Sequence, residues 1–184
     1  MFRRTLLAAA VAVTAGGSAL AQAPATDLDN TLYMDLKDGR VVIRLRPDLA
    51  PKHVERVKML AREGFYNGTP FHRVIEGFMA QGGDPTGTGT GGSKYPDLPA
   101  EFTNSVHFLR GTVGAARTSS PNTANSQFYI CFAPASSLDG QYTIWGQVVS
   151  GMEYVDKIKR GSGSSGTVAG PDKIIKLQVA SDAK

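Results

Sequence analysis

The chain of 184 residues is 41% hydrophobic and 20% charged, which is ordinary for a globular protein and predicts a single domain. Its formal net charge of +4 is small and dispersed, and no basic run alternates with aromatic residues, so the sequence excludes nucleic acid as an expected partner. The 21 glycines and 10 prolines predict many turns, which favours β structure over a helical bundle.

The N-terminal residues have the layout of a secretory signal peptide. Arg3 and Arg4 precede an apolar, alanine-rich stretch over 5–13, and residues 19–21 fit the small-x-small pattern of a cleavage site. This apolar stretch is short for crossing a bilayer, so a retained membrane anchor is the weaker alternative. We therefore expect a signal peptide at 1–21 with cleavage after Ala21 or Ala23, a flexible lead at 22–29, and a periplasmic mature protein with no membrane attachment.

A hairpin opens the mature chain, because Lys37-Asp38-Gly39 is a strong turn signal between the strand-like segments 31–36 and 40–46. A helix is expected over 51–63. Its apolar stripe at helical spacing consists of Val54, Val57, Leu60 and Ala61, and Gly64 suits the C-terminal cap. His53 lies off that stripe, so we expect it to be solvated.

The central stretch, residues 71–84, predicts two short strands joined at Glu76-Gly77. Strand alternation places Phe71, Arg73 and Ile75 on one side, with their neighbours on the other. A guanidinium beside apolar groups either extends to water or is held for a task. The second strand offers an aromatic, a thioether and an amide side chain, a set that suits an apolar pocket with polar anchors: Phe78, Met79 and Gln81.

A glycine-rich segment over 82–99 follows, and residues 87–92 formally match G-x-G-x-x-G. That motif indicates dinucleotide binding only where it opens a helix after a strand. Residues 93–99 contain two prolines and cannot open a helix, so we interpret the segment as a surface loop beside a groove.

The rest of the chain again predicts short strands, over 111–116, 127–132, 143–148 and 173–179, and a second helix over 151–159. A polar loop over 117–125 is rich in turn-forming residues. Cys131 is the only cysteine, so no disulfide forms within the chain, and its apolar neighbours predict a buried thiol. Many short strands with two helices predict a closed antiparallel barrel that is capped at its ends.

The central stretch closely resembles the FHR-x-I-x-x-F-M-x-Q-G-G-D signature of the cyclophilins, which are peptidyl-prolyl cis/trans isomerases. Residues 125–130 resemble a second cyclophilin segment, and 138–140 with 144–148 resemble a third, in the family's order and spacing. The resemblance covers residues 30–180. It implies a mainly β isomerase domain, namely a closed eight-stranded antiparallel barrel with two α-helices and a groove on its outer face.

The resemblance implies an enzyme that rotates X-Pro bonds in proline-containing polypeptides, and the signal peptide directs this activity to exported proteins. Rotation needs no covalent chemistry and no cofactor, because the catalyst only has to favour a twisted amide in which conjugation is lost. The prolyl nitrogen then gains lone-pair character and accepts a hydrogen bond. Arg73 is the predicted catalytic donor, because a guanidinium stays charged.

A proline pocket is implied around Arg73. Its predicted substrate-binding residues are Phe78, Met79, Gln81, Thr118, Gln127, Tyr129, Leu138 and Tyr142, with His72 in a supporting role behind them. Alternation decides between neighbours: if Phe128 points inward, Gln127 and Tyr129 point to the groove. The chain departs from the family at the pocket edge, where Ser137 replaces an aromatic residue and Tyr142 replaces a frequent histidine.

Two functions remain open at this point. A proline-peptide binding module or holdase would use the same pocket with little catalysis, but it would have no need of Arg73. A metalloenzyme is a poorer alternative, because the three histidines show no recognisable ligand spacing. With no heptads and no long apolar edge, we expect a monomer.

Overall fold

The computed structural model describes residues 27–183, which form eight strands and two α-helices. The strands are β1 Thr31–Leu36, β2 Gly39–Leu45, β3 Arg73–Ile75, β4 Met79–Gly82, β5 Thr112–Ala115, β6 Phe128–Cys131, β7 Ile144–Ser150 and β8 Lys176–Val179; the helices are α1 Pro51–Arg62 and α2 Met152–Val155. The predicted signal peptide with its cleavage sites, and most of the predicted lead, lie outside the described residues. Within 27–183, no helix combines the length and apolarity that crossing a bilayer requires.

All eight strands belong to one antiparallel sheet in the order β3-β4-β6-β5-β7-β2-β1-β8. In the described part of the chain, β3 and β8 share no ladder. Isolated bridges join Pro70 to Lys173 and Arg73 to Thr167. Single β-bridges therefore take the place of a continuous ladder near β3. The predicted mainly β fold with eight antiparallel strands and two helices is confirmed, as a sheet curled into a half-barrel rather than one closed by a continuous ladder.

One face of the sheet lines a hydrophobic interior with Phe128 at its centre. Its ring makes edge-to-face contacts with Tyr66 at 5.8 Å, Phe71 at 6.4 Å and Trp145 at 5.8 Å between centroids. Fully burying one such side chain stabilises the fold by about 1.5–3 kcal/mol. The prediction that Phe71 shares a side with Arg73 is wrong, because β3 begins only at Arg73 and Phe71 before it turns into the interior.

Helix α1 packs against β8, and a distant loop caps its N-terminus. The Glu101 carboxylate accepts the backbone N–H groups of Lys52 and His53 at 3.1 Å each and lies 2.6 Å from His53 Nδ1. An anion at this end of a helix complements the helix dipole. The expectation that His53 is solvated is therefore wrong, since the residue is only 2% exposed.

The second helix is shorter than the predicted span of 151–159, since α2 covers Met152–Val155. The carbonyl groups that follow have a side-chain partner: Arg160 Nη1 donates to Asp156 O at 2.8 Å and to Ile158 O at 2.6 Å. Ile158 is still buried, although it lies beyond the end of α2. The apolar residue that suggested a longer helix therefore packs into the interior without being helical. The other predicted strands form with their ends shifted by no more than three residues.

Acid should destabilise the protein through His53. Burial lowers the pKa of His53 below its ordinary 6.5, although Glu101 opposes the shift, and protonation would leave both ring N–H groups buried with a partner for only one. Because the pKa of His53 is lower in the folded state, the unfolded chain binds this proton more readily. The stability that the neutral ring contributes is full above about pH 6.5, and it is lost as the pH falls through the folded pKa. We expect urea unfolding to show a smaller loss of stability between about pH 7.5 and pH 5 for His53→Gln than for the wild type.

His107→Gln is the matched control, because the His107 side chain is 67% exposed. Burial also lowers the pKa of His72, so some acid loss should persist in His53→Gln. Equal acid losses in the wild type and in His53→Gln would contradict this assignment.

Candidate active site

The register of three neighbouring strands brings the predicted groove residues together. Arg73 on β3 lies opposite Gln81 on β4, and Gln81 lies opposite Tyr129 on β6. Because strand residues alternate between faces, the intervening Ala80 and Ile130 point into the interior and are fully buried. The outer faces of these strands therefore form the floor of one groove.

Hydrogen bonds between side chains fix the Arg73 guanidinium. Arg73 Nη1 donates to Gln81 Oε1 at 3.1 Å, and Gln81 Nε2 donates to Gln127 Oε1 at 3.0 Å. On its other side, Arg73 Nε donates to the backbone oxygen of Ser165 at 3.0 Å. Two anchors hold the planar group, while Nη2 has no protein partner among residues 27–183 and can donate to a ligand.

The glycine-rich loop holds Gln127, the last residue in the series of hydrogen bonds that starts at Arg73. Gln127 Nε2 donates to the backbone oxygens of Gly89 at 3.0 Å and Gly91 at 2.8 Å. The loop winds around the buried Asp84 carboxylate, which accepts the N–H groups of Thr86 at 2.8 Å, Gly89 at 2.7 Å and Gly91 at 3.1 Å. Burial alone would raise the pKa of Asp84, but these hydrogen bonds outweigh it and hold the pKa below 3.8. The carboxylate is thus ionised and organises the loop.

A small cavity of about 180 Å³ opens beside Arg73. Its lining residues are Arg73, Phe78, Met79, Gln81, Ala116, Arg117, Tyr129, Leu138 and Tyr142. Met79 and Tyr129 belong to a second apolar cluster, separate from the interior of the sheet. Apolar side chains and aromatic rings share this lining with two guanidinium groups and an amide, a combination that suits a small apolar ring attached to a polar backbone.

The aromatic floor of this cavity is held from below. The ring of Tyr129 stacks on Phe108 at 5.8 Å and meets Tyr142 edge-on at 5.9 Å. A Cβ at Gly114 would lie 2.6 Å from Tyr129 Cζ and 2.7 Å from Phe108 Cε1, so only glycine leaves room for both rings. Burial raises the pKa of Tyr129, so its hydroxyl stays protonated.

A larger cavity of about 480 Å³ adjoins the first. Thr118 and Gln127 line this larger cavity and not the small one, whereas Gln81, Ala116 and Arg117 line both. The family resemblance implied that Thr118 binds substrate. In the structure its N–H donates to Thr123 Oγ1 at 3.0 Å and its oxygen accepts from Arg117 at 2.9 Å, so both groups already have partners.

His72 lines neither cavity. It is 8% exposed and lies beneath the glycine-rich loop, where a Cβ at Gly89 would be 3.5 Å from its ring. Burial lowers its pKa, so the ring is uncharged at neutral pH and packs beneath the loop. At the pocket edge, Tyr142 lines the small cavity, whereas Ser137 does not.

Sequence reasoning missed Arg117, which it assigned to a polar loop. Arg117 Nε and Nη2 donate to Gln141 O at 3.1 and 2.9 Å, and the guanidinium stacks over Tyr142 at 4.4 Å. These partners are 24 and 25 residues away, so no local pattern reveals them. Gly114 and Phe108 were missed for the same reason, although alternation from Ala116 could have placed Gly114 on the outer face of β5.

A family profile and two curated relatives that are similar to this chain all carry the description of a peptidyl-prolyl cis-trans isomerase. The family profile described as "Cyclophilin type peptidyl-prolyl cis-trans isomerase/CLD" matches residues 31–179. A protein of Brucella suis biovar 1 (strain 1330), named "Probable peptidyl-prolyl cis-trans isomerase", is 54% identical over 195 residues, covering 100% of this chain and 99% of its own. Human "Peptidyl-prolyl cis-trans isomerase-like 1" is 40% identical over 131 residues, which is 69% of this chain and 78% of the human one.

A solved structure with the same architecture is a cyclophilin-type peptidyl-prolyl cis-trans isomerase of Cryptosporidium parvum, crystallised in the presence of the dipeptide Ala-Pro. It superimposes with a TM-score of 0.75 at 30% identity, covering 81% of this chain and 98% of that one. Within residues 27–183, no group of three or more His, Cys, Asp or Glu side chains is arranged to hold a metal ion.

Asp84→Asn should loosen the glycine-rich loop. The amide nitrogen of asparagine cannot accept the N–H groups that the carboxylate now accepts, so at least one buried donor loses its partner, at a cost of about 1–3 kcal/mol. We expect lower stability in urea unfolding and faster hydrogen exchange at the Gly89 and Gly91 amides. Asp38→Asn, in an exposed turn, is the matched control. Unchanged exchange at both glycines would show that Asp84 does not organise the loop.

Proposed function

The chain belongs to the cyclophilin-type peptidyl-prolyl cis-trans isomerases, and from this premise we propose that it accelerates X-Pro rotation during the folding of exported proteins. Isomerase activity and the binding of proline-containing polypeptides follow from the family. The exported clients and the roles of single residues are the substance of the proposal.

Rotation about an X-Pro bond has a barrier of about 18–20 kcal/mol, because the C–N bond has partial double-bond character. The enzyme needs to hold the proline ring, leave the other side of the bond able to turn, and bind the twisted amide more tightly than the planar one. Each 1.4 kcal/mol or so of such preference accelerates the reaction about tenfold.

The position of Arg73 carries the assignment. In the twisted amide the prolyl nitrogen becomes pyramidal and its lone pair is no longer delocalised into the carbonyl, so Arg73 can donate a hydrogen bond to it. Ser165 O and Gln81 hold the guanidinium at the edge of the 180 Å³ cavity before substrate arrives. A donor that is already oriented does not have to reorganise during the reaction, which is the condition for strong electrostatic stabilisation.

The proline ring occupies the small cavity. Phe78, Met79, Tyr129 and Leu138 supply its apolar walls, and Tyr142 supplies an aromatic edge. Gln81 has both amide groups engaged, since its oxygen accepts from Arg73 and its nitrogen donates to Gln127. It therefore orients Arg73 more than it binds substrate, and Gln127 extends this support to the loop.

The alternative function is a proline-peptide binding module or holdase with little catalysis. Apolar walls alone would satisfy such a protein. An anchored guanidinium beside the ring site has no part in simple apolar binding, and it favours the enzyme. The two functions differ in one observable, because a binder retains peptides without accelerating their exchange between cis and trans.

Export rests on the N-terminal sequence, where a basic start, an apolar stretch and small residues at 19 and 21 form a signal peptide. The alignment with the Brucella suis relative extends over the whole chain and so includes this segment. The mature protein is then periplasmic. We also infer a monomer, because the large exposed apolar side chains between residues 27 and 183 are scattered: Leu28, Phe102, Leu109, Val149 and Ile175.

Arg73→Ala should abolish most of the acceleration of X-Pro exchange. We expect kcat/KM to fall by roughly a hundredfold or more, because the variant lacks the donor to the twisted amide. Gln81→Ala should cost about tenfold, since Arg73 keeps its bond to Ser165 O and loses one anchor. NMR exchange between the cis and trans signals of a short X-Pro peptide measures both variants.

Arg44→Ala is the matched control for these variants, because Arg44 is exposed on β2 away from the groove. Full activity of folded Arg73→Ala would refute the role of Arg73. Peptide binding by the wild type without faster exchange would replace the enzyme with a binding module.

Export predicts a shortened N-terminus. When the full chain is produced in a Gram-negative bacterium, we expect it in the periplasmic fraction with a first residue of Gln22 or Pro24 by N-terminal sequencing. Ala19→Arg combined with Ala21→Arg should block cleavage after residue 21, because the site requires small side chains. An uncleaved chain in the cytoplasm would refute export while leaving isomerase activity intact.

A further inference from the structure

Arg117 lies where the two cavities of the groove meet. It lines both the 180 Å³ and the 480 Å³ cavity, together with Gln81 and Ala116. Of these three shared residues only Arg117 carries a charge. A peptide whose proline fills the small cavity and whose neighbouring residue enters the larger one therefore passes the guanidinium.

Backbone oxygens hold Arg117 in place. Its Nε and Nη2 donate to Gln141 O at 3.1 and 2.9 Å, and its Nη1 donates to Thr118 O at 2.9 Å and Ser119 O at 3.2 Å. The ring of Tyr142 lies 4.4 Å beneath the guanidinium. Four bonds use four of the five N–H donors of an arginine, which leaves one N–H on Nη2.

The charge of Arg117 is not neutralised by a carboxylate. Carbonyl oxygens and an aromatic face bind the guanidinium without cancelling its charge, and none of the ion pairs between residues 27 and 183 includes Arg117 or Arg73. The residues that line the small cavity include these two arginines and no acidic side chain. The larger cavity has one acidic residue, Asp97, whose Oδ1 accepts from Asn125 Nδ2 at 2.9 Å.

We propose that Arg117 determines substrate specificity, by favouring proline peptides with an acidic side chain within two residues of the proline, on the side that enters the larger cavity. A carboxylate there approaches an unpaired guanidinium that offers an N–H donor, whereas a lysine is repelled by it. Charge-assisted hydrogen bonds are stronger than neutral ones, and the fixed position of Arg117 limits the entropy lost in forming one. This inference rests on the isomerase activity of the chain.

The test compares peptides within one enzyme preparation. Three X-Pro peptides carry Glu, Gln or Lys at one position next to the proline, and a second set carries them two positions away, before or after it. We expect kcat/KM at low salt to be about fivefold higher for Glu than for Lys at one or more of these positions, the size of a partly exposed ionic contact. At about 1 M salt the ratio should approach one, because the Debye length falls to about 3 Å.

Two variants at position 117 separate the effect of the positive charge from the effect of the planar guanidinium group. Arg117→Gln removes the charge and should bring the Glu-to-Lys ratio near one, whatever it does to overall activity. Arg117→Lys keeps the charge while losing the planar fork, so the preference for Glu should persist. Arg44→Gln removes the same charge from an exposed site away from the groove and is the matched control, with the wild-type ratio expected.

Three outcomes would overturn the proposal. These are equal rates for Glu and Lys peptides in the wild type, a Glu preference that Arg117→Gln retains, and an equal loss of preference in Arg44→Gln, which would assign the effect to net charge. Failure of the isomerase activity is recognised separately, because the Gln peptides would then also exchange at the uncatalysed rate.

Discussion

The pairing of Arg73 with Gln81 across β3 and β4 is the constraint on which the groove depends. Side chains alternate strictly along a strand, so one register decides both the interior and the outer face. A slip by one residue would turn Arg73 into the hydrophobic interior and expose Val74 in its place. The burial of Val74, Ala80 and Ile130 on the inner face therefore protects the position of the guanidinium on the outer one.

Neutral amide side chains hold the charged guanidinium of Arg73 in place. Two amide side chains and the backbone oxygens of a loop extend from Arg73 to the loop around Asp84, and each amide donates in the same direction. A carboxylate in place of Gln81 would neutralise the guanidinium and weaken its attraction for a developing lone pair. Amides orient Arg73 without lowering its charge, while the anion that organises the loop accepts hydrogen bonds from the loop itself.

Sequence reasoning predicted what depends on local order. The family resemblance, with alternation deciding between neighbours, placed Arg73, Gln81 and Tyr129 in one groove, and periodicity located α1 almost to the residue. It failed where a distant side chain decides the outcome. Glu101 holds the buried ring of His53 across 48 residues of sequence. Arg117 was missed because the ring on which it stacks comes from another loop. Such contacts leave no periodic signal in the sequence.

The groove divides its residues between two kinds of support. Arg73, Met79, Gln81 and Tyr129 stand on paired strands, whereas Arg117, Leu138 and Tyr142 stand on the connecting segments. A substitution on a strand disturbs the ladder and the interior beneath it, whereas a substitution on a connecting segment changes the wall of the groove and leaves the ladder in place. Substitutions on the connecting segments can therefore change which polypeptides such a protein accepts without moving Arg73 and Gln81 from their paired strands.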